Sequence, residues 1–445
     1  GSEEGLQTQS KFPMTLELNG RIVFAKGSNW VPPELFAGLT GPHTFEPLVR
    51  LAKEANMNIL RVWGGGYINK DCFYEMCDRA GIMVWQEFPL ACNCYPDTDE
   101  YLNVLDRESI SIIRRLRTHP CLCIWSGGNE LFNSWSKMTN QSHSLRLLDK
   151  NCYENDRKTP FIFTSPLYGS AHGGYTFMDV KGEEYIARFI DNKDIIAFVE
   201  FGCPGAAEPD YVRAMMTEDD FQNMDSAPWY SHHAFDAWAF HETWLNPSDV
   251  CYFYGDTGGS TEALLERSHI LQSYGYKHFF EEARRQWPRV SMAINWCFNE
   301  PWPCIANNSL VSWPDKARAA YYTVRDSLRD QMLSVRLPRL RWQIGEKMQL
   351  DIYLLNHTQA EIPADSMTLY LFIGNEKKRL DSFNWETVRP NHVIALGNTQ
   401  VDLSGLDPGE YQISAESEEQ PKLGSIYSFF VHPDLSCPEK ADCEK

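Results

Sequence analysis

The 445-residue chain is short of positive charge: 41 Lys and Arg stand against 60 Asp and Glu, a formal net charge of −19. That balance does not suit a surface gripping a phosphate backbone, which argues against a nucleic-acid partner. Long hydrophobic runs are lacking too. No apolar stretch approaches the roughly 18 residues of a membrane span, and segments such as Ile195–Val199 have the length of buried strands. No run shows the paired C-x₂-C spacing of a zinc framework, so structural zinc is not expected, and no cofactor is expected either. His241-Glu242 begins like a zinc-binding helix, but Leu245 stands where a second His is needed. Gly64–Gly66 has no suitably placed Lys or Ser/Thr behind it, and a tight loop is the better reading than a phosphate cradle. With 43% hydrophobic and 23% charged residues the composition is globular, which rules out a disordered chain.

Aromatic residues are plentiful: 14 Trp, 20 Tyr and 24 Phe make up 13% of the chain. Ring faces pack on the C–H faces of sugars while neighbouring polar groups take the hydroxyls, so an acidic, aromatic-rich chain points toward carbohydrate. Filling a core is the alternative reading. The 13 cysteines cannot all pair, and most sit in apolar runs where Cys acts as a small hydrophobe. Cys92/Cys94 and Cys121/Cys123 are too close together for easy bridging; Cys437 and Cys443 are the pair free to bridge. Gly1-Ser2 reads as a cloning remnant, and no signal peptide opens the chain.

Strand and helix patterns alternate from the N-terminal third onward. Residues Thr15–Ala25 read as a hairpin around Asn19-Gly20, a favoured type I′ turn. The spacing predicts strands at Ile22–Lys26, Asn58–Trp63, Ile82–Glu87, Cys121–Trp125, Phe161–Thr164, Tyr175–Val180, Ile195–Glu200 and Val290–Cys297. Helical periods lie between most of them, as at Asp71–Ala80, Asp99–Thr118 and Thr261–Gln286, and Asp315–Arg329 closes the series. Eight strands of this kind fit an α/β fold, a (β/α)₈ TIM barrel over residues 11–330 with a long insertion around 203–260. From Gln331 the helical period vanishes, and residues 331–435 read as a small β-sandwich, leaving 1–10 and 436–445 as tails.

In such a barrel the working residues gather at the C-terminal ends of the strands. Reading those positions gives Arg61-Val-Trp63 with its three glycines, Glu87, Gly127-Gly-Asn129-Glu130, Glu200, and Trp296 through Asn299-Glu300-Pro-Trp302. No Ser-His-Asp or Cys-His arrangement is equally well placed. Two carboxylates facing across a Trp-lined mouth can cleave a glycosidic bond, one protonating the leaving oxygen and one attacking or activating water. Solvated loop acids or salt-bridge partners are the competing explanation. The stretch Trp229–Trp244, with His232, His233 and His241, either lines outer subsites or packs the insertion.

Arg61–Gly66, Phe73–Asp78, Val84–Phe88, His119-Pro120, Trp125–Glu130 and Trp296–Pro303, in that order and spacing, resemble glycoside hydrolase family 2 and within it the β-mannosidase branch. The resemblance spans about residues 15–330. It implies a retaining, metal-independent β-glycosidase acting on an oligosaccharide or glycoside, with Glu130 as acid/base and Glu200 as nucleophile. It implies sugar binding by Asn129, an ion pair from Arg61 to the nucleophile, and a platform shaped by Trp63, Tyr175, Trp296 and Trp302. The C-terminal sandwich would be immunoglobulin-like. β-Galactosidase, β-glucuronidase, exo-glucosaminidase and endo-β-mannosidase specificities remain open within the family, as does an inactive carbohydrate-binding barrel. The family compartments are periplasmic, secreted or lysosome-like; oligomeric state is left open. The chain departs from the family pattern at Val199, usually Ser, at His172-Gly-Gly-Tyr175, a loose echo of a His-Tyr-Trp run, and at Glu300, usually Asp. Family members carry a sugar-binding sandwich and an immunoglobulin-like domain before the barrel, and this chain starts at the hairpin that would come after them.

Overall fold

A computed structural model describes residues 14–178, 182–184, 193–235 and 244–433. Leu16–Leu18 and Arg21–Val23 pair antiparallel around Asn19 and Gly20, both at positive φ, as the Asn-Gly turn requires. Eight strands then form one parallel sheet: β1 (Ala25–Trp30), β2 (Ile59–Val62), β3 (Met83–Glu87), β4 (Leu122–Ser126), β5 (Phe161–Ile162), β6 (Ser170–Ala171), β7 (Ala197–Phe198) and β8 (Met292–Asn295). Their order is β5-β4-β3-β2-β1-β8-β7-β6, the cyclic succession of a TIM barrel, with the two-residue β5 and β6 at its ends. The outer ring includes α1 (Pro42–Glu54), α2 (Asp71–Ala80), α3 (Asp99–Leu116), α4 (His143–Asn155), α5 (Thr261–Arg285) and α6 (Ala319–Ser327).

Two expected strands are displaced. The first begins at Ala25 rather than Ile22, because Ile22 and Val23 belong to the hairpin. The inward side of β1 must be small: a Cβ on Gly27 would lie 1.8 Å from the Ile59 carbonyl oxygen. The sixth is Ser170–Ala171; Tyr175 lies in the loop beyond it, and Val180 lies outside the described residues. Cys251 is disulfide-bonded, which was not anticipated from the sequence, since spacing alone does not reveal pairing. The other described cysteines are free, and Cys437 and Cys443 lie outside the described residues.

Strand alternation sets up the site. Leu60 and Val62 face the helices and join the large core with Phe45, Leu48 and Phe73. Ile59 points inward, into a cluster with Ala25, Trp85, Ile124, Ile162, Ala197 and Met292. Two residues up the inner side of β2 stands Arg61, directly opposite Asn29 of β1 and Trp85 of β3. The apolar cluster is thus a floor, and the polar residues above it face the mouth.

The insertion between β7 and β8 carries short helices at Pro209–Arg213, Glu218–Gln222, Ala227–Ser231 and Pro247–Tyr254 over a core of its own. Beyond α6, a three-stranded and a five-stranded sheet share one hydrophobic cluster, Leu333, Met348, Ile352, Leu369, Ile413 and Phe429 among its members. This unit is tied to α5 by Glu281, which accepts from Lys277 Nζ, Ser334 Oγ and Tyr427 Oη, each at 2.6 Å.

Candidate active site

Arg61 is the hub. Fully buried, it donates through Nη1 to Glu200 Oε1 at 2.5 Å and Asn29 Oδ1 at 2.6 Å, and through Nη2 to Glu87 Oε1 at 2.7 Å and Asn129 Oδ1 at 2.6 Å. Burial works against its charge, but Glu87 and Glu200 raise its pKa above the ordinary guanidinium range. Glu87 is no rival for chemistry: its second oxygen accepts from the Gly64 amide at 2.8 Å, so it anchors Arg61 to the loop after β2. Burial pushes the Glu87 carboxyl up while Arg61 opposes that shift. Glu300 is likewise engaged elsewhere, buried and accepting from Arg318 Nη2 and Ser309 Oγ at 2.5 Å each.

Glu130 and Glu200 lie close together. Their nearest ligand oxygens, with a ring nitrogen of His172, all lie within 4.8 Å of one another. His172 Nδ1 is 2.9 Å from Glu130 Oε1 and 3.4 Å from Glu200 Oε1, and its Nε2 is 2.8 Å from Ser165 Oγ. Burial lowers the imidazole pKa to about 3, so the ring is neutral at physiological pH and orients the carboxylates without adding charge. Tyr175 Oη donates to Glu200 Oε2 at 2.6 Å, and burial first, then Glu200, keep the phenol protonated. Burial also raises the Glu130 carboxyl above its usual range, with Arg61 opposing. The two acids thus differ in setting: Glu200 touches the guanidinium, whereas Glu130 meets a neutral ring and a thiol. His172 went unassigned in the sequence, where only its echo of a family run marked it.

Loop geometry fixes Glu130. Asn129 bridges the loops after β3 and β5, its amide donating to the Leu90 carbonyl at 2.9 Å. Glu130 sits at φ +52° and donates from its amide to Ser165 O at 2.7 Å. Gly128, at φ +153°, has no room for a side chain: a Cβ would lie 2.2 Å from Leu90 O. Gly128→Ala is therefore expected to destabilise the chain by about 1–3 kcal/mol or more. Thermal unfolding and turnover should both report it, because the same strain displaces Glu130.

The aromatic residues line an adjoining cavity of about 570 Å³ that includes Trp63, Tyr67, His233, Trp244, Trp296 and Trp302. Trp63 and Trp296 meet edge to face with centroids 5.1 Å apart, and Trp302 packs on His233 at 5.8 Å. Trp229 and Trp244 are both buried in the core of the insertion, and Trp244 and His233 also line the cavity. His241 lies outside the described residues. Among the described residues Glu130, His172 and Glu200 also form the group spaced to hold a metal ion, but the Arg61 guanidinium already balances Glu200.

The sequence profile described as "Glycosyl hydrolases family 2, TIM barrel domain" matches residues 43–162. A β-mannosidase B of Aspergillus terreus is 36% identical over 440 residues, covering 88% of this chain and 50% of that one. The chain is similar to the β-mannosidases of glycoside hydrolase family 2. A goat (Capra hircus) β-mannosidase is 36% identical over 182 residues, 38% of this chain and 21% of its own length. Among solved structures, the barrel and the sheets after it superpose on a β-D-mannosidase of Dictyoglomus thermophilum with a TM-score of 0.74 at 24% identity, covering 95% of this chain and 51% of that one. An exo-chitosanase of Amycolatopsis orientalis gives 0.75 at 14% identity, over 93% and 49%. The chain thus spans about half or less of the length of these β-mannosidase relatives.

Proposed function

We propose that this chain is the hydrolytic part of a retaining β-glycosidase acting on β-mannosides, with Glu200 as nucleophile and Glu130 as acid/base. The observation that carries the reading is the pairing of Glu130 and Glu200 within 4.8 Å, with the Arg61 guanidinium hydrogen-bonded to Glu200 and acting on Glu130 only at longer range. Retaining enzymes hold their carboxyl groups about 5–5.5 Å apart, whereas inverting ones leave room for a water at about 6.5–9.5 Å. Glu200 attacks the anomeric carbon as Glu130 passes its proton to the departing oxygen. Glu130, now ionised, takes a proton from the water that displaces Glu200. Asn129 holds the neighbouring hydroxyl, and Trp63, Trp296 and Trp302 take the sugar ring and the aglycone beyond it. In this reading residues 331–435 form an immunoglobulin-like sandwich that supports the barrel through α5.

Mannose is favoured by the 36% identity to β-mannosidase B over 88% of the chain. A panel of nitrophenyl β-glycosides, with the product followed by NMR, tests both halves of the proposal. The expected result is a kcat/KM for the mannoside at least about tenfold above those for galactoside, glucuronide and glucosaminide, with the β anomer of the sugar appearing first. A different preferred sugar overturns mannose alone. An α anomer released first, or binding without turnover of any glycoside or manno-oligosaccharide, overturns the retaining mechanism.

A further inference from the structure

Cys92 lies in the loop after β3, at φ +51°, with its amide donating to the Asn129 carbonyl at 2.9 Å. Its residue surface is exposed, yet its sulfur turns inward. Cys92 Sγ accepts from Asn129 Nδ2 at 3.3 Å and is 3.7 Å from Glu130 Oε2, within reach of a weak S–H···O bond. Asn129 Oδ1 in turn accepts from Arg61. The donors therefore run in one direction: guanidinium to amide, amide to sulfur, thiol to carboxylate. Each link polarises the next.

On the reading of Glu130 as acid/base, we infer that Cys92 is a positioning residue for proton transfer, its thiol joining Asn129 to Glu130 and stabilising the ionised carboxylate that must act as base. Glu130 has a partner on each oxygen, His172 on Oε1 and Cys92 on Oε2, which leaves its carboxyl plane little freedom to turn. Burial, then Glu130, push the thiol up to about 12, so at neutral pH it keeps the proton it donates. The groups facing Glu130 are Arg61 from β2, Cys92 from the loop after β3, Asn133 of its own loop, His172 beyond β6 and Glu200 beyond β7. Of these Arg61, Cys92 and Asn133 favour the charged form, burial opposes it, and His172 is neutral.

Removing the donor raises the acid's pKa, so the alkaline limb of kcat/KM moves to higher pH. Cys92→Ala is expected to shift that limb by about half a unit or more. Cys92→Ser, which keeps an O–H donor, should hold it near the parent position. A purely structural role would lower the unfolding midpoint without moving the limb. An unmoved limb in Cys92→Ala, or a shift in Cys92→Ser as large as in Cys92→Ala, overturns the inference. A second arm needs no turnover and no Cys92 variant. The coupling is reciprocal, so Glu130→Gln, by removing the adjacent charge, should speed alkylation of Cys92 by iodoacetamide about threefold or more at pH 8. Fragment-level mass spectrometry separates Cys92 from Cys94. An unchanged rate overturns the coupling. Should the parent cleave no glycoside at all, the functional reading fails while this arm still decides whether thiol and carboxyl are linked.

Discussion

Glu200→Ala should lose at least about 10⁴-fold in kcat on every glycoside tested, with the fold intact. Azide should then restore slow turnover of a fluoride-activated or dinitrophenyl sugar to the inverted, α-configured glycosyl azide. The anion attacks from the face that the carboxylate vacated: a C–N bond forms as the aglycone bond breaks, with no covalent enzyme intermediate. Glu130→Ala should behave differently. A dinitrophenolate leaves without help from an acid, so the glycosyl-enzyme still forms, and only its breakdown lacks a base. Azide, already an anion, attacks that intermediate and displaces Glu200, giving the retained β-glycosyl azide and recovering much of the about 10²–10⁴-fold loss. Product configuration thus tests the two roles separately. The same product from both variants would remove the assignment of nucleophile and acid/base, even if both residues proved essential.

The barrel was readable because its signals were redundant. Helix α2 came out as expected at Asp71–Ala80, where Phe73, Tyr74 and Cys77 recur on one face and Gly81 at positive φ ends the helix. The strands went astray where tertiary packing overrode propensity. Ile22-Val23 has the stronger strand composition, yet the first barrel strand is Ala25–Trp30, whose inner positions Ala25, Gly27 and Asn29 are small or polar because opposing backbone crowds them. The sixth strand, Ser170–Ala171, is two residues before a Gly-rich loop, with no alternating pattern to find.

Within the candidate site, strand-end position brought out Arg61, Asn129, Glu130, Glu200 and the tryptophans. It could not say which acids pair with which base. Glu87 and Glu300 satisfied the same positional rule as Glu130 and Glu200, and only the contacts tell them apart: Glu87 is held between Arg61 and the Gly64 amide and Glu300 between Arg318 and Ser309, whereas Glu130 and Glu200 meet at His172. His172 and Cys92 were missed for related reasons. Each matters through one contact made across the mouth with Glu130, residues apart in sequence, and neither sits at the end of a long strand.

Arg61→Met should be the most damaging substitution for stability, at about 3–5 kcal/mol, because it strips a cation from two carboxylates without restoring solvent to either. Glu87 has no exposed surface left for water, and Glu200 is only 4% exposed. Lysine would not substitute well: one ammonium cannot reproduce four contacts made from the two ends of a planar fork to Glu200, Asn29, Glu87 and Asn129. The loss should divide between the two acids. Pairing Arg61→Met with Glu87→Gln removes one orphaned charge and keeps an acceptor for the Gly64 amide, so chemical denaturation should show the double variant more stable than Arg61→Met alone. Turnover should not return with it, since nothing cationic then faces Glu200. A double variant that regained activity along with stability would make Arg61 a structural residue only. If Arg61→Met were as stable as the parent, the buried ion-pair network could not be the element that holds the mouth of the barrel together.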